Sequence, residues 1–546
     1  MNKIHYVFSQ SRSGEIVPAL KLPGGYKPLH SMIDPKREAQ RIVSETANEE
    51  FLICLGLGGG FIPQAILELT QSHVCVIDFD KESVNQLLAN KNYSYLLKNE
   101  RFTLLIDPSK DEIEAFILEH YKPALFGGIK TIPLRGRIEI DSELFDSVIS
   151  SIKESIQIVS GDYSVQAHFG KSMFSNIIRN VKTLTGGQTF GLSQLSANNT
   201  EQAAIIAAGP SLDIQLPSIA ELKQKGVFLI STDTAFPALD HYGIKPDVIV
   251  SLDCQHISFN HFASSQNASQ KRFFPFDIPV IMDITSPPIL SRFTSKPVYF
   301  CGGHPLARYI SNTWKSLPLL DTSGANVTYA CLSLADYLNV RHITLFGADF
   351  SYINSQSYAR GTYIFPWFDK RQNRLSSLES LFSKFLFRTP FLPSENTNGT
   401  AYYETSTLRL YRKKLEEKAQ LIHSQITSAK GPGAPICLPY KEQSTMKNEQ
   451  STSNILETKI GKDQKTSGIE FLAKYRNDIL ALPQAKENSN YLKQLNQKER
   501  QIFTTLLPCM AWLRKHQNEL NQIEIIEETK RFCTKEIERV LCSCYI

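Results

Sequence analysis

Residues 203–212, AAIIAAGPSL, constrain the fold more than any other stretch. Six small or apolar residues without a polar face read as a buried strand, and a helical pattern resumes at Asp213. Between them the chain must turn sharply at Gly209-Pro210-Ser211. Such a turn is suited to an anion: Gly209 can take a backbone conformation closed to other residues, Pro210 presets the turn and lacks an N–H, and Ser211 can cap the helix while its hydroxyl and the freed amides face a phosphate. The other reading is a capped turn that binds nothing.

Strand and helix patterns alternate around this turn, which predicts a mostly parallel sheet wrapped by helices. A second strand at 227–231 ends in Thr232-Asp233-Thr234 and a third at 246–253 ends in Asp253. Ligands in such sheets lie beyond the carboxyl ends of the strands, so Gly209–Ser211, Thr232–Thr234 and Asp253 are expected on one rim. Taken singly, each Asp also reads as a turn or cap residue. Further on, Thr322-Ser323-Gly324-Ala325-Asn326 opens a helix with Val327, Ala330, Leu334 and Leu338 at helical spacing. Ser323 and Gly324 offer a second helix start for a phosphate or a base edge. The next strand, 342–346, runs into Gly347-Ala348-Asp349-Phe350. Tyr352 and Tyr358 follow on a predicted loop, where phenols can donate hydrogen bonds to a departing phosphate without a metal. In a chain with 21 tyrosines, packing is the other role for both.

The first region repeats the theme. FLICLGLGGG at 51–60 is an apolar strand running into four glycines, and the second strand ends in Asp78, where a Rossmann-like fold places an acid for a ribose. A nucleotide or S-adenosylmethionine pocket is one reading, and a scaffold without a ligand is the other. Residues 141–184 carry helical periodicity that connects this region to the next. At 546 residues the chain is long enough for three to four domains. The boundaries read as 1–190 for the Rossmann-like domain with its connecting helices, 195–440 for the central α/β domain, 441–467 for a polar linker, and 468–546 for a C-terminal helical bundle. That bundle contains an apolar helix, 502–512, that Pro508 is expected to kink or end.

Composition excludes several classes. With 42% hydrophobic and 21% charged residues the chain is globular, and 59 Lys+Arg against 54 Asp+Glu give a net charge too small for nucleic acid as the main partner. The ten cysteines show no metal-type spacing, which reads as reduced thiols in a cytosol. No apolar run suits a secretory leader or a membrane span.

Together AAIIAAGPSL, TSGANVTYACLSLADYLNVRHITLFGADFSY, the following SYARG, and the segment near 399–434 with Tyr411, Leu415, Glu416 and GPGAP resemble the motility-associated-factor (Maf) glycosyltransferases. The central motifs are more distantly similar to the bacterial CMP-sialic-acid sialyltransferases. The resemblance implies a central sialyltransferase-like domain, a GT-A variant. It also implies inverting, metal-independent transfer of a nonulosonic acid, pseudaminic or legionaminic, from its CMP-activated form to Ser or Thr of flagellin in the cytoplasm. No cofactor beyond this donor substrate is implied. Carried over residue by residue, Gly209 and Ser211 lie by the donor phosphate or ribose, Ser323 and Gly324 by the cytidine monophosphate, and Tyr352 and Tyr358 stabilise the leaving phosphate. Thr232 and Asp233 fall where the sialyltransferases have a polar donor-binding residue of another type. The sialyltransferases take their base from a histidine after the tyrosine pair, and no histidine stands between Tyr358 and Gly399. His304, in FCGGHPL, is one substitute, with Asp349, Glu395 and Glu404 as further candidates. Two readings of other classes stand beside the transferase. One is a pterin-type diphosphokinase using ATP and Mg²⁺ with Asp233 and Asp253 as ligands. The other is a noncatalytic flagellin-binding or chaperone-like protein.

Overall fold

The computed structural model of the chain describes residues 5–22, 24–45, 50–140, 142–184, 192, 195, 201–263, 275–353, 356–395, 399, 401–441 and 466–542. They divide into two compact units, 1–171 with 475–538 and 172–474 with 539–546. The expected linker, 441–467, lies almost wholly outside the described residues. Most of the helical segment that follows it, 475–538, groups with the N-terminal unit.

In the first unit, β1 (Tyr6–Gln10), β2 (Ile16–Leu22) and β3 (Gly25–Pro28) form an antiparallel meander. Then β4 (Phe51–Leu55), β5 (His73–Asp78), β6 (Phe102–Ile106) and β7 (Ile129–Pro133) make a parallel sheet in the order β6-β5-β4-β7. Every residue of β4 and β5 is buried, as continuous apolar runs covered on both faces require. The helix Gln497–His516 continues through Pro508 instead of ending there. Its backbone at Pro508 lies so close to Gly170 of the helix Ser142–Thr183 that a Cβ on Gly170 would overlap the Pro508 carbonyl.

The second unit is built on β8 (Gln202–Ile206), β9 (Phe228–Thr232), β10 (Val248–Ser251), β11 (Val280–Asp283), β12 (Pro297–Phe300), β13 (His342–Phe346), a small antiparallel sheet of β14 (Tyr352–Ile353), β15 (Leu392–Glu395) and β16 (Ala401–Glu404), and β17 (Gln425–Ser428). Seven strands pair in parallel in the order β12-β11-β10-β9-β8-β13-β17. Along β8, Ala203 and Ile205 enter the core on one face, while Ala204 and Ile206 enter the core on the other. That alternation is what a helix-covered parallel sheet demands. The strands step one way from β8 to β12 and then resume on the other side of β8 with β13. The switch point of the sheet therefore lies between β8 and β13.

The end of the helix Ser142–Thr183 clamps this sheet. Asn176 Nδ2 donates to the carbonyls of Cys254 and Thr285, and Asn180 Nδ2 donates to those of Ile284 and Ser286, at 2.8 to 3.0 Å. Two side chains four residues apart on one helix face thus hold the loops that leave β10 and β11.

Candidate functional site

In an open α/β sheet the crevice at the switch point is the default ligand site. Here it is filled by the chain itself. The N–H of Ser211 donates to Asp349 Oδ2 at 2.8 Å, its hydroxyl donates to Asp349 Oδ1, and Ser211 is only 2% exposed. The hydroxyl expected to face a phosphate, or to cap the helix Leu212–Gln224, therefore meets a carboxylate on the neighbouring strand end. Burial raises the pKa of Asp349 and the two Ser211 bonds oppose that rise. Gly209 has no left-handed φ; its role is room, because a Cβ there would stand 2.3 Å from Asp349 Oδ2 and 2.4 Å from the Gly347 carbonyl oxygen. Gly431 and Gly433, in the GPGAP stretch, approach Ser211 and Asp349 just as closely. Gln215 completes the knot, accepting from the Gly347 N–H at 2.8 Å and donating to the Lys430 carbonyl at 3.0 Å.

A second set of polar groups lies one and two strands away. Asp233, just past β9, is fully buried and accepts from Ser251 Oγ at 2.7 Å and from the Thr234 N–H at 2.7 Å. Its Oδ2 stands 3.3 Å from His261 Nδ1. Burial works to raise this carboxyl's pKa, yet His261 and the hydroxyl donors outweigh it and the pKa falls. At that distance His261 Nδ1 is buried and makes no hydrogen bond, so the pair is held together by charge proximity, and Nε2 makes no hydrogen bond to any described residue. From His261 a wall of rings continues: Tyr363 at 4.7 Å between centroids, then Tyr358 at 6.2 Å from Tyr363, then Phe385 at 6.5 Å from Tyr358. The Arg388 guanidinium carbon lies 3.6 Å from the Phe385 centroid. Tyr352, on β14, belongs to the same neighbourhood: the Arg388 charge acts on Tyr352, Tyr358 and Tyr363, whose pKa values burial raises. Asp253 is partly exposed beside them, accepts from the Gln255 N–H at 2.9 Å, and has its pKa raised by burial.

A second group stands at the start of the helix Val327–Tyr337. This helix precedes a strand of the parallel sheet, so its N-terminus faces the carboxyl-end rim. Ser323 is exposed, with its hydroxyl 3.1 Å from the Tyr329 phenol and its carbonyl accepting from Lys414 Nζ at 2.6 Å. Lys418 pairs with Asp321 at 3.2 Å, and Gly324 is required because a Cβ would enter the Tyr329 ring. Tyr411, on the helix Ser406–Leu421, feels the charge of Asp253.

The remaining candidates serve the fold. Thr232 Oγ1 accepts from the Ala235 N–H at 3.2 Å and tightens its own turn. His304 is buried, its Nδ1 accepts from the Leu306 N–H as a helix cap, and burial pushes its pKa down to about 3. Glu404 is held by Arg409 and Arg412, and Glu395 is exposed on β15. In the first unit, Asp78 is fully buried against Arg137 at 3.3 Å and accepts from the Leu57 N–H at 2.8 Å. His30 Nε2 accepts from the Gly59 N–H at 2.8 Å, and the Tyr93 hydroxyl donates to the Gly58 carbonyl at 2.6 Å. The glycine loop and the acid expected to meet a ribose are therefore packed against side chains of the chain itself. Among the described residues no three His, Cys, Asp or Glu side chains group as a metal site, and no helix is long and apolar enough to cross a membrane. Sequence reasoning missed His261, Tyr363 and Arg388, which no motif marks.

Residues 175–355 match the family described as 6-hydroxymethylpterin diphosphokinase MptE-like, a family found in Maf proteins. Two uncharacterized proteins of Treponema pallidum (strain Nichols) are similar to parts of the chain. One is 36% identical over 148 residues, 26% of this chain and 52% of its own length. The other is 35% identical over 107 residues, 19% of this chain and 49% of its own. The chain thus spans about half the length of these curated relatives. Among solved structures, that of the Maf glycosyltransferase from Magnetospirillum magneticum AMB-1 superposes with a TM-score of 0.50 and 13% identity, covering 99% of this chain and 91% of the other. The chain therefore shares the fold of a Maf glycosyltransferase, with an MptE-like segment at its centre.

Proposed function

We propose that the chain is a glycosyltransferase that moves a nonulosonic acid, pseudaminic or legionaminic, from a CMP-activated donor to Ser or Thr of flagellin in the cytoplasm, with inversion and without a metal. The observation that carries this reading is the Asp233–His261 pair at one end of the wall that contains Tyr363 and Tyr358. In the proposed step the acceptor oxygen attacks the anomeric carbon and its proton passes to His261 Nε2. The bond from that carbon to the phosphate oxygen breaks, its electron pair leaves on CMP, and a new sugar–oxygen bond forms. Asp233 keeps the imidazole in the tautomer that accepts at Nε2 and balances the imidazolium that results. Tyr352 and Tyr358, kept protonated by burial, donate to the departing phosphate. Ser323 and Gly324, in the turn before the Asn326-capped helix Val327–Tyr337, receive the cytidine monophosphate, and Asp253 faces the acceptor.

Incubation of the full chain with a CMP-activated nonulosonate and flagellin is expected to release CMP and add the sugar mass to the acceptor. His261→Ala should lower kcat about 10²–10⁴-fold, the usual worth of a general base. The donor KM should change little. Transfer undiminished in both His261→Ala and Asp233→Asn removes the base from this scheme. The description of the matching family favours one second reading, a diphosphokinase that passes a diphosphate from ATP with Mg²⁺ to a pterin alcohol. A melting temperature raised by ATP with Mg²⁺ and not by CMP would favour that reading. Stabilisation by neither, with flagellin still bound, would leave a noncatalytic role.

A further inference from the structure

We infer that Arg388 receives an oxyanion of the substrate, either the carboxylate of an acidic sugar or the phosphate of its nucleotide; the inference rests on the transferase reading above. Arg388 follows the helix Leu378–Leu386, whose apolar side packs with Tyr363, Ile364 and Phe368 into a small core that includes Tyr358. The guanidinium is exposed and is positioned over the Phe385 ring at 3.6 Å. It makes no hydrogen bond or ion pair with any described residue.

The charge balance of the rim gives this guanidinium a task. Asp233 and Asp253 place two carboxyl groups beside Tyr363, and their field acts on its phenol. An anionic donor approaching that wall meets repulsion unless a cation offsets it. Several cations near the rim already face carboxylates: Lys418 faces Asp321, Arg409 and Arg412 face Glu404, and Arg360 lies 3.9 Å from Asp213. Arg388 does not, and its charge reaches Tyr352, Tyr358 and Tyr363 together. A guanidinium presents two parallel N–H groups that match the paired oxygens of a carboxylate or phosphate, and stacking on a ring holds that fork at little entropic cost. The wall thus has a proton acceptor at its His261 end and an anion receiver at its Arg388 end.

Calorimetric titration of the full chain with CMP, with N-acetylneuraminic acid and with the methyl ester of that acid tests the assignment. Arg388→Ala is expected to weaken one anion by about tenfold or more, and Arg388→Lys to restore only part of it, because an ammonium supplies charge without the fork. Loss for the free acid, with the ester and CMP unaffected, assigns the carboxylate. Loss for CMP, with the acid unaffected, assigns the phosphate. Unchanged affinity for both anions overturns the inference while the transferase reading stands on CMP binding to the wild type. Binding of neither by the wild type, with ATP and Mg²⁺ bound instead, removes the transferase reading and the inference with it. An unchanged melting temperature of Arg388→Ala, expected for an exposed side chain, separates these outcomes from misfolding.

Discussion

Two glycine turns follow the first strand of two parallel sheets, and both look in sequence like nucleotide loops. In the first unit the loop after β4 is occupied by His30, Tyr93 and Asp78, with Arg137 buried behind the acid. In the second, the turn after β8 is occupied by Asp349 from the strand end beside it. The two differ in what surrounds the plug. Around β4 and β5 the rim acid is neutralised by a guanidinium with no exposed surface. Around β8 the plug occupies only the switch point, and the next strand ends present Asp233, His261 and Asp253 toward an aromatic wall. The lesson is that a glycine here reports close approach of backbone to a side chain, and that a carboxylate can stand where a phosphate is expected. The amides ask only for negative charge.

Substitutions can break this comparison in graded steps. The largest effect is expected for Arg137→Met, which strands Asp78 as a buried uncompensated charge and should cost about 3–5 kcal/mol in urea unfolding. Gly209→Ala pushes a methyl into the Asp349 carboxylate and the Gly347 carbonyl, neither free to retreat, and should cost about 3 kcal/mol. A phosphate loop would lose ligand affinity at that position instead, so unchanged stability with weakened nucleotide binding would reverse the reading of the turn. Ser211→Ala removes one charged hydrogen bond and should cost about 2 kcal/mol.

A pH-dependent effect, read as a slope rather than a fixed cost, concerns Asp283, at the end of β11, whose burial raises its pKa from 3.8 to about 6. Its bonds from Thr285 only partly offset that burial, whereas Asp78 has Arg137. Between these two pH values the folded chain keeps a proton that the unfolded chain has released. Its contribution to stability is therefore full below the ordinary carboxylate pKa and is lost as pH rises through about 6, at no more than about 1.4 kcal/mol per unit. Asp283→Asn should flatten the unfolding midpoint across that window. A slope that survives the substitution assigns the pH dependence to another group.

The parallel sheet is legible in the sequence because its signal is local. AAIIAA has no polar face, so it must be covered on both sides, and the helical spacing from Val327 fixes the direction of the return. The rim at Thr232-Asp233 and Asp253 follows from the same logic, since strand ends announce themselves. His261 does not. It sits in DCQHISFNHFA with nothing to mark it, and gains meaning only when the parallel register sets the end of β9 beside the loop after β10. Arg388 is equally silent, because its role depends on Phe385 and on two tyrosines about thirty residues back in the chain. Ser211 misleads in sequence for the converse reason: its partner Asp349 is 138 residues away, and no local pattern says that the two meet. Asn176 and Asn180 read as the polar positions of a helix whose neighbours Ile177 and Val181 are core, though they grip four loop carbonyls.

The seam between β8 and β13 has a consequence for how the chain is made. β8 is synthesised before both of its neighbours, and its β13 edge cannot be paired until residues 342–349 have been synthesised. Gly431 and Gly433 arrive later still to cover the junction. For the time needed to translate more than a hundred residues, an apolar strand edge is exposed to any other growing chain. The bond between Ser211 and Asp349 thus acts as a latch that forms late, and a nascent protein stalled before Asp349 would carry the glycine turn without its carboxylate and would be a target for chaperones rather than a finished fold.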